Sequence, residues 1–162
     1  MKKQIICHDK DWNKFKVNVD KLTFRPSVYG VIIKNGKILL ARQWDGYEFP
    51  GGGIKLDETI EEALKREIWE ETGYKVKAEK ILHSENSFFT PRPYLKKLYW
   101  NCVLIYYACS IVSGKISTKN FDDNEKKIMS AAEWVDLKNI SKLKFYNSVD
   151  SVKLIKEAAK IK

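Results

Sequence analysis

Histidine and cysteine are scarce in this chain, and their scarcity removes whole classes of chemistry. The two histidines, His8 and His83, stand far apart, and neither sits in a cluster of ligand residues. The sequence therefore offers no zinc site and no histidine-activated nucleophile. The three cysteines, Cys7, Cys102 and Cys109, are odd in number and form no Cys-x-x-Cys pair. Cys102 and Cys109 lie inside an apolar run, where a thiol acts as a small hydrophobe. All three are expected to be reduced and structural, as in a cytoplasmic protein. Long hydrophobic runs are missing too. The longest, "WNCVLIYYACSIV" from Trp100 to Val112, falls well short of the ~20 residues a membrane span needs, and it reads as a buried strand. The apolar run near the N-terminus, Ile5-Ile6-Cys7, is too short for a signal peptide. Linkers, internal repeats and low-complexity segments are absent as well. Residues 1–162 are therefore read as one domain around one core.

Negative charge is the minority: 21 Asp+Glu stand against 30 Lys+Arg, for a net charge of +9. Such an excess suits polyanionic partners such as nucleotides, nucleic acid or anionic lipid. It equally suits a surface kept soluble, since many lysines fall in "KNISKLKF" and "KLIKEAAKIK". Against that background one stretch stands out. In "PGGGIKLDETIEEALKREIWEETGY", Pro50 to Tyr74, the carboxylates of Glu67, Glu70 and Glu71 crowd into five residues.

The elements around this stretch can be read from local signals. "VYGVIIK" and "KILLAR" flank Asn35-Gly36, the preferred pair for a two-residue hairpin turn because both central residues need positive φ. "YEFP" then leads into Gly51-Gly52-Gly53, a loop able to bring backbone close to a ligand. Thr59 with Glu62 fits a capping box, and Gly73 fits the left-handed stop of the helix between them. "KVKAEKIL" alternates like a strand, "LKKLYWNCVLIYYACSIV" holds a long strand, and "AAEWVDL" another. "SVKLIKEAAKI" carries Val152, Ile155 and Ala159 on one side, as a closing amphipathic helix would. Strands outnumber helices and the main helix interrupts them. The fold expected is α+β, a mixed sheet with helices packed on it.

The helix places its charges against expectation. A helix turns about 100° per residue, so with Ile60 at zero, Leu64 and Ile68 fall near +40° and +80°. On the same scale Glu71 falls near +20° and Glu67 near −20°, while Trp69 points almost opposite. A solvated acidic face would put its glutamates away from the apolar stripe, as Glu61 and Glu62 are. Glu67 and Glu71 instead prolong that stripe. Side chains one turn apart on a helix lie ~5–6 Å from each other. At an effective dielectric of about 20, two carboxylates at that distance repel by roughly 3 kcal/mol. The negative end of the helix dipole adds to the strain. Arg66 is expected to neutralise one carboxylate at most. A hard divalent cation can neutralise two, and magnesium selects carboxylate oxygens while recruiting phosphates to its remaining positions. The spacing thus points to a carboxylate–Mg²⁺ site beside a glycine loop, suited to a phosphate-bearing ligand.

Gly52, Glu58 and the run Arg66-Glu67-Ile68-Trp69-Glu70-Glu71-Thr72-Gly73-Tyr74 resemble the Nudix box, G-x5-E-x7-R-E-U-x-E-E-x-G-U, where U is bulky and apolar. Every fixed position matches, and Tyr74 is an aromatic residue where an aliphatic one is commoner. The match covers 23 of 162 residues. The resemblance implies a Nudix fold, with a mixed β-sheet sandwiched between α-helices. It also implies Mg²⁺- or Mn²⁺-dependent hydrolysis of a nucleoside diphosphate linked to another group. Carried over by position, Glu67, Glu70 and Glu71 would be metal carboxylates and the Gly51 carbonyl a further ligand. Arg66 and Glu58 would form the ion pair that orients loop and helix. Gly52 would allow the loop its close turn beside the substrate. In relatives that act on nucleoside triphosphates the position of Glu67 is the candidate base. In other members the base lies outside the box, and the acidic loop "NFDDNEKK" offers Asp122, Asp123 and Glu125. Of these, Glu125 is the choice for an extra metal ligand or base.

The substrate is less legible. Trp44, Tyr47, Phe49, Phe88 and Phe89 are candidates to stack on a base, with Phe49 more suited to the core. Arg42, Arg92, Lys96 and Lys97 are candidates for phosphates. The size of the chain resembles the branch that turns a nucleoside triphosphate into a monophosphate and pyrophosphate, and that housecleaning reading is preferred. Pro91, 17 residues past the box, resembles the proline of ADP-ribose hydrolases, although Pro93 shares its stretch. Nucleotide sugars and the 5′ end of RNA are the other enzymatic alternatives, with RNA not favoured. A Nudix module that senses nucleotide without cleaving it is the alternative outside enzymes, and the full carboxylate set opposes it. Nudix domains are often homodimers, but no residue here marks an interface.

Overall fold

The apolar runs on either side of Asn35-Gly36 form the middle of the molecule. The computed structural model describes residues 3–91, 98–123 and 125–161, so Arg92, Pro93, Lys96 and Lys97 lie outside the described residues. In chain order the strands are β1 (Gln4–His8), β2 (Lys14–Asn18), β3 (Leu22–Phe24), β4 (Ser27–Lys34), β5 (Lys37–Gln43), β6 (Gly46–Glu48) and β7 (Gly51–Gly53). Helix α1 (Ile60–Thr72) follows, then β8 (Tyr74–Phe89), β9 (Tyr99–Gly114), the single turn α2 (Glu125–Ile128), β10 (Met129–Asp136) and α3 (Ser151–Ala158). Asn35 and Gly36 take φ of 51° and 72°, which closes the β4–β5 hairpin as their residue types demand.

The sheet is mixed, in the order β10-β5-β4-β9-β8-β1-β2. β4 runs antiparallel to β5 and parallel to β9, while β8 and β9 form a long antiparallel pair. Side chains alternate across β4 and β5 and supply two cores. On one face Val31, Ile38 and Leu40 pack with Phe49, Tyr106 and the α3 residues Leu154, Ile155 and Ala158. On the other, Val28, Ile32 and Leu39 pack with Ala63, Leu64 and Ile68 of α1. The sheet is therefore sandwiched between helices, the α+β arrangement expected from the sequence.

α1 begins and ends as its sequence requires. The Glu62 N–H donates to the Thr59 hydroxyl at 3.3 Å, and the Thr59 N–H donates to the Glu62 carboxylate at 2.8 Å. Gly73 stops the helix at φ 80°, where an added Cβ would meet the Lys115 carbonyl oxygen at 2.4 Å. Two details differ from the sequence reading. Ile60, in the first turn, is 39% exposed, so the buried stripe starts at Ala63 and Leu64. In α3 the buried residues are Ser151, Leu154, Ile155 and Ala158, whereas Ala159 lies past the helix end and is exposed.

The hairpin of β1 and β2 is an addition to the sequence reading, although Asp9, Asp11 and Asn13 between its strands are turn-forming residue types. Its turn is held by the Asp9 carboxylate, which accepts from the N–H groups of Asp11 and Asn13, both at 2.9 Å. Cys7, Cys102 and Cys109 are free and buried, as expected. Among the described residues no helix is long and apolar enough to cross a membrane.

Leu64 is fully buried while Trp69 on the same helix is 41% exposed. Leu64→Ala is expected to cost about 2–5 kcal/mol. Trp69→Ala should change stability by less than about 0.5 kcal/mol. Urea denaturation of both variants checks the order, and a costlier Trp69 variant would mean that the helix is rotated about its axis.

Candidate active site

The glycine loop and the C-terminal half of α1 meet at close range. β7 pairs with β4, setting Gly51 opposite Tyr29 and Gly52 opposite Val28. Gly51 takes φ 149°, and a Cβ there would lie 2.2 Å from the Val28 carbonyl oxygen, so only glycine fits. A Cβ on Gly52 would lie 2.8 Å from the Glu67 carboxylate. The absence of side chains on this loop is what lets the helix bring its carboxylates against the backbone. The Gly51 N–H donates to Glu71 Oε2 at 2.9 Å, inside the protein.

Arg66 holds the outer side of the arrangement. Its Nε and Nη2 donate to the two oxygens of Glu58, the latter at 2.8 Å, and Nη2 also reaches the Gly53 carbonyl at 3.2 Å. Its Nη1 lies 2.8 Å from Glu67 and 2.9 Å from Glu70. Arg66 thus contacts three carboxylates while carrying the charge to neutralise one, because its planar fork presents donors on two edges at once. The Arg66 hydrogen bond holds the Glu58 carboxyl well below its ordinary range, at about 2.

On the inner side no cation forms an ion pair with Glu71 or Glu125 among the described residues. Burial pushes the carboxyl of Glu71 well above its ordinary range, and the Gly51 N–H only partly opposes this. Burial also raises Glu67, against the pull of Arg66. Glu125 is raised by burial and by the neighbouring acids Asp122, Glu67 and Glu70. One oxygen from each of Glu67, Glu71 and Glu125 lies within 4.8 Å of the others. These acids resist ionising together, and an oxygen-only donor set of this size fits a hard divalent cation. Glu125 owes its place to α2, where its N–H donates to Asp122 at 2.8 Å and its carboxylate accepts from the Asp122 N–H at 2.6 Å. The acidic stretch is therefore a turn entering a short helix, not simply a loop. Glu70 faces Arg66 and stays outside the three-carboxylate cluster, since one residue's rotation carries it round the helix from Glu71.

The cluster opens into a cavity of about 380 Å³, within the usual size of a small-molecule site. Gly51, Gly52, Glu67, Glu71, Glu125, Trp44, Phe89 and Pro91 line it. Arg42 and Tyr47 do not. Both bind Glu133 on β10, at 2.7 and 2.8 Å, because β10 pairs with β5 beside Arg42 and β6 sets Tyr47 opposite Arg42. Phe49 is fully buried in the core, as its position before the glycine loop suggested. Phe88 stays off the cavity, and Asp123 pairs with Lys126 on the surface at 3.2 Å.

Several cavity residues were not foreseen. Glu48 lines the wall, and burial pushes its carboxyl up to about 7 although Gln43 and Arg25 pull the other way. The alternation of "YEFP" carried a signal for it, because Tyr47 faces Glu133 and Glu48 must then face the opposite side. Arg25 and Trp100 also line the cavity, brought together by the parallel pairing of β3 with β9, which no local pattern reveals.

A family model described as the NUDIX domain matches residues 23–157. An ADP-ribose pyrophosphatase of Methanocaldococcus jannaschii is 32% identical over 158 residues, covering 94% of this chain and 81% of that protein. A MutT-like protein of Streptomyces ambofaciens is 43% identical over 58 residues, which is 34% of this chain and only 38% of the relative's length. An RNA pyrophosphohydrolase of Edwardsiella ictaluri is 40% identical over 74 residues, 43% of this chain and 41% of that protein. In three dimensions a Nudix hydrolase from Nitrosomonas europaea superposes with a TM-score of 0.63 over 85% of this chain and 88% of its own, at 19% identity, a likeness of fold. With the family model spanning most of the sequence and one relative matched almost end to end, the chain belongs to the Nudix hydrolase family.

Proposed function

We propose that this chain is a Mg²⁺- or Mn²⁺-dependent pyrophosphohydrolase that cleaves a nucleoside diphosphate linked to a second group. The observation that carries the reading is the convergence of Glu67, Glu71 and Glu125 within 4.8 Å at the glycine loop of the cavity. Glu67, Glu71 and Glu125 would hold the cation, with the Gly51 carbonyl as a further ligand and Glu70 close by on Arg66. A divalent cation there supplies charge for the phosphate oxygens and acidifies a water. Arg66 and Glu58 keep loop and helix in register, so that the carboxylates meet the substrate in one geometry.

The reaction moves one water across one bond. Its hydroxyl adds to one phosphorus, its proton passes to a carboxylate, and the phosphoanhydride link breaks with the electron pair leaving on the other phosphate. Glu67 and Glu125 are the two candidate bases. Burial raises both above the ordinary carboxylate value, which suits a group that must accept and release a proton.

The near end-to-end likeness to an ADP-ribose pyrophosphatase moves the preferred substrate from a nucleoside triphosphate to ADP-ribose. Pro91, the residue that resembled that branch, also lines the cavity. Nucleoside triphosphates remain the second reading, with the likeness to a MutT-like protein over 58 residues beside it. The RNA relatives match over less than half of this chain, so RNA ends come after both. We also read residues 1–162 as one domain acting in the cytoplasm.

Three outcomes test this. Chromatography of products formed with Mg²⁺ should show ADP-ribose split into AMP and ribose 5-phosphate faster than any nucleoside triphosphate, nucleotide sugar or triphosphorylated RNA. Pyrophosphate release from triphosphates alone would restore the second reading, and no turnover of any of them would make the chain a sensor. Trp69→Ala should keep kcat within about twofold, whereas replacing the proton acceptor, by Glu67→Gln or Glu125→Gln, should lower it by about 10²–10⁴.

The third outcome concerns stability and pH. A carboxyl whose folded pKa is raised stabilises the fold below its unfolded pKa, and that stability is lost as pH rises through the folded value. Glu48, Glu67, Glu71 and Glu125 are all raised, so the metal-free protein should melt lower as pH climbs through the window above 4.5, the ordinary glutamate value. Glu58 is depressed to about 2, so its contribution stays constant across that window. A cation takes the place of the protons, and its stabilising effect should grow with pH. Glu71→Gln should flatten the metal-free slope, raise the melting temperature without metal and abolish Mg²⁺-dependent turnover. A variant with the wild-type slope and full turnover would remove Glu71 from the site.

A further inference from the structure

We propose that Arg25 is an anion-binding residue of the cavity, holding the substrate phosphate next to the one engaged at the carboxylate cluster. This rests on the pyrophosphohydrolase reading above. Arg25 and Pro26 join β3 to the core strand β4, and the Arg25 backbone N–H donates to the Asn101 carbonyl at 2.9 Å. The β3–β9 pairing places Trp100 beneath it, with the guanidinium carbon 4.4 Å from the ring centroid. Nη1 donates to the hydroxyl of Ser27, a fully buried residue, at 2.7 Å. Backbone, one face and one corner of this side chain are thus fixed.

The remaining edge has no such anchor. Arg25 makes no ion pair among the described residues, although Arg42 and Arg66 both do. Nη2 and Nε lie against the glycine loop, 2.9 and 3.3 Å from where a Cβ on Gly53 would stand. Gly53 sits next to Gly52, which touches Glu67. Its charge acts at a distance on Glu48 and Glu67, but no carboxylate is hydrogen-bonded to that edge among the described residues, and an anion that reaches it completes the guanidinium's set of acceptors. The cavity it lines is the place where such an anion can enter. A guanidinium edge matches two phosphate oxygens in parallel, and a stacked, hydrogen-bonded one loses little freedom on binding. The glycine loop separates this edge from the carboxylates, so the two ends of a diphosphate would meet opposite kinds of group. A purely structural role, in which Arg25 serves only to cover Trp100, makes a different prediction, because it involves no phosphate.

Isothermal titration calorimetry with Mg²⁺ separates the two, using AMP, the non-hydrolysable methylene-bridged analogue of ADP, and inorganic pyrophosphate. Wild type should bind the analogue more tightly than AMP. Arg25→Gln should weaken the analogue and pyrophosphate by roughly tenfold or more, the loss expected of charge-assisted hydrogen bonds, with AMP changed by less than about twofold. Arg25→Lys keeps the charge but not the fork and should lose a large part of the same preference. If Arg25→Gln does not fold, the lysine variant decides. Equal loss for AMP and the analogue, or no loss for either, overturns the proposal. Pyrophosphate binding that depends on Arg25 in a protein that hydrolyses no diphosphate would sink the enzymatic reading and leave Arg25 as an anion site. Wild type that binds neither pyrophosphate nor the analogue would overturn the Arg25 assignment.

Discussion

Arg66 is the joint on which the site depends. Its guanidinium ties Glu58 and the Gly53 carbonyl, both in the segment before α1, to Glu67 and Glu70 on the helix itself. Loop and helix therefore move as one piece. Its reach also decides which acids remain uncompensated. Glu58 and Glu70 are covered and Glu67 is shared, while Glu71 has a single backbone N–H and Glu125 the backbone of its own turn. One cation for five carboxylates leaves a deficit, and that deficit is concentrated on the cavity side.

The same geometry explains the glycines. Side chains at positions 51 and 52 would occupy the space where the β4 backbone and the Glu67 carboxylate stand. Backbone and acid have been brought together where a folded protein would ordinarily place an apolar contact. Burial then raises Glu67 and Glu71, and the metal-free fold bears the cost. Strain of this kind persists because the two cores are large and independent of it. Val31, Leu40 and α3 hold one face of the sheet, while Val28, Leu64 and Ile68 hold the other. Stability made there permits an unfavourable arrangement of charge at the helix end.

What could be read from the sequence was local. The Asn35-Gly36 turn, the capping box at Thr59 and the stop at Gly73 each depend on residues within a few positions, and each formed. The phase of α1 was legible because Glu67 and Glu71 share a face with Leu64, although Ile60 was a poor reference for the stripe. What escaped depends on pairing between distant segments. Trp100 reaches Arg25 only through parallel strands, and Arg42 and Tyr47 are drawn from the cavity by Glu133 on β10. The β1–β2 hairpin turns through Trp12 at φ 63°, a conformation its residue type does not announce. Charge counting gave what Arg66 can neutralise but not what it touches, because its donors lie along two edges and reach three carboxylates.

The question of why a chain of net charge +9 gathers its acids in one place then has a physical answer in two ranges. At long range the excess of lysine draws polyphosphates toward the protein whatever base they carry, and it is screened beyond ~8–10 Å at ordinary salt. Exposed pairs such as Lys77–Glu79, Lys126–Asp123 and Lys144–Asp45 cancel within themselves and leave that excess untouched, each worth at most about 1 kcal/mol. At short range the sign reverses, because an uncompensated carboxylate cluster repels the phosphate that the surface attracted. Only a bound cation makes the two ranges agree. Attraction at the surface is therefore indifferent to the nucleotide, and discrimination must come from the cavity wall, where Phe89, Trp44 and Arg25 stand and the carboxylates do not vary with the substrate.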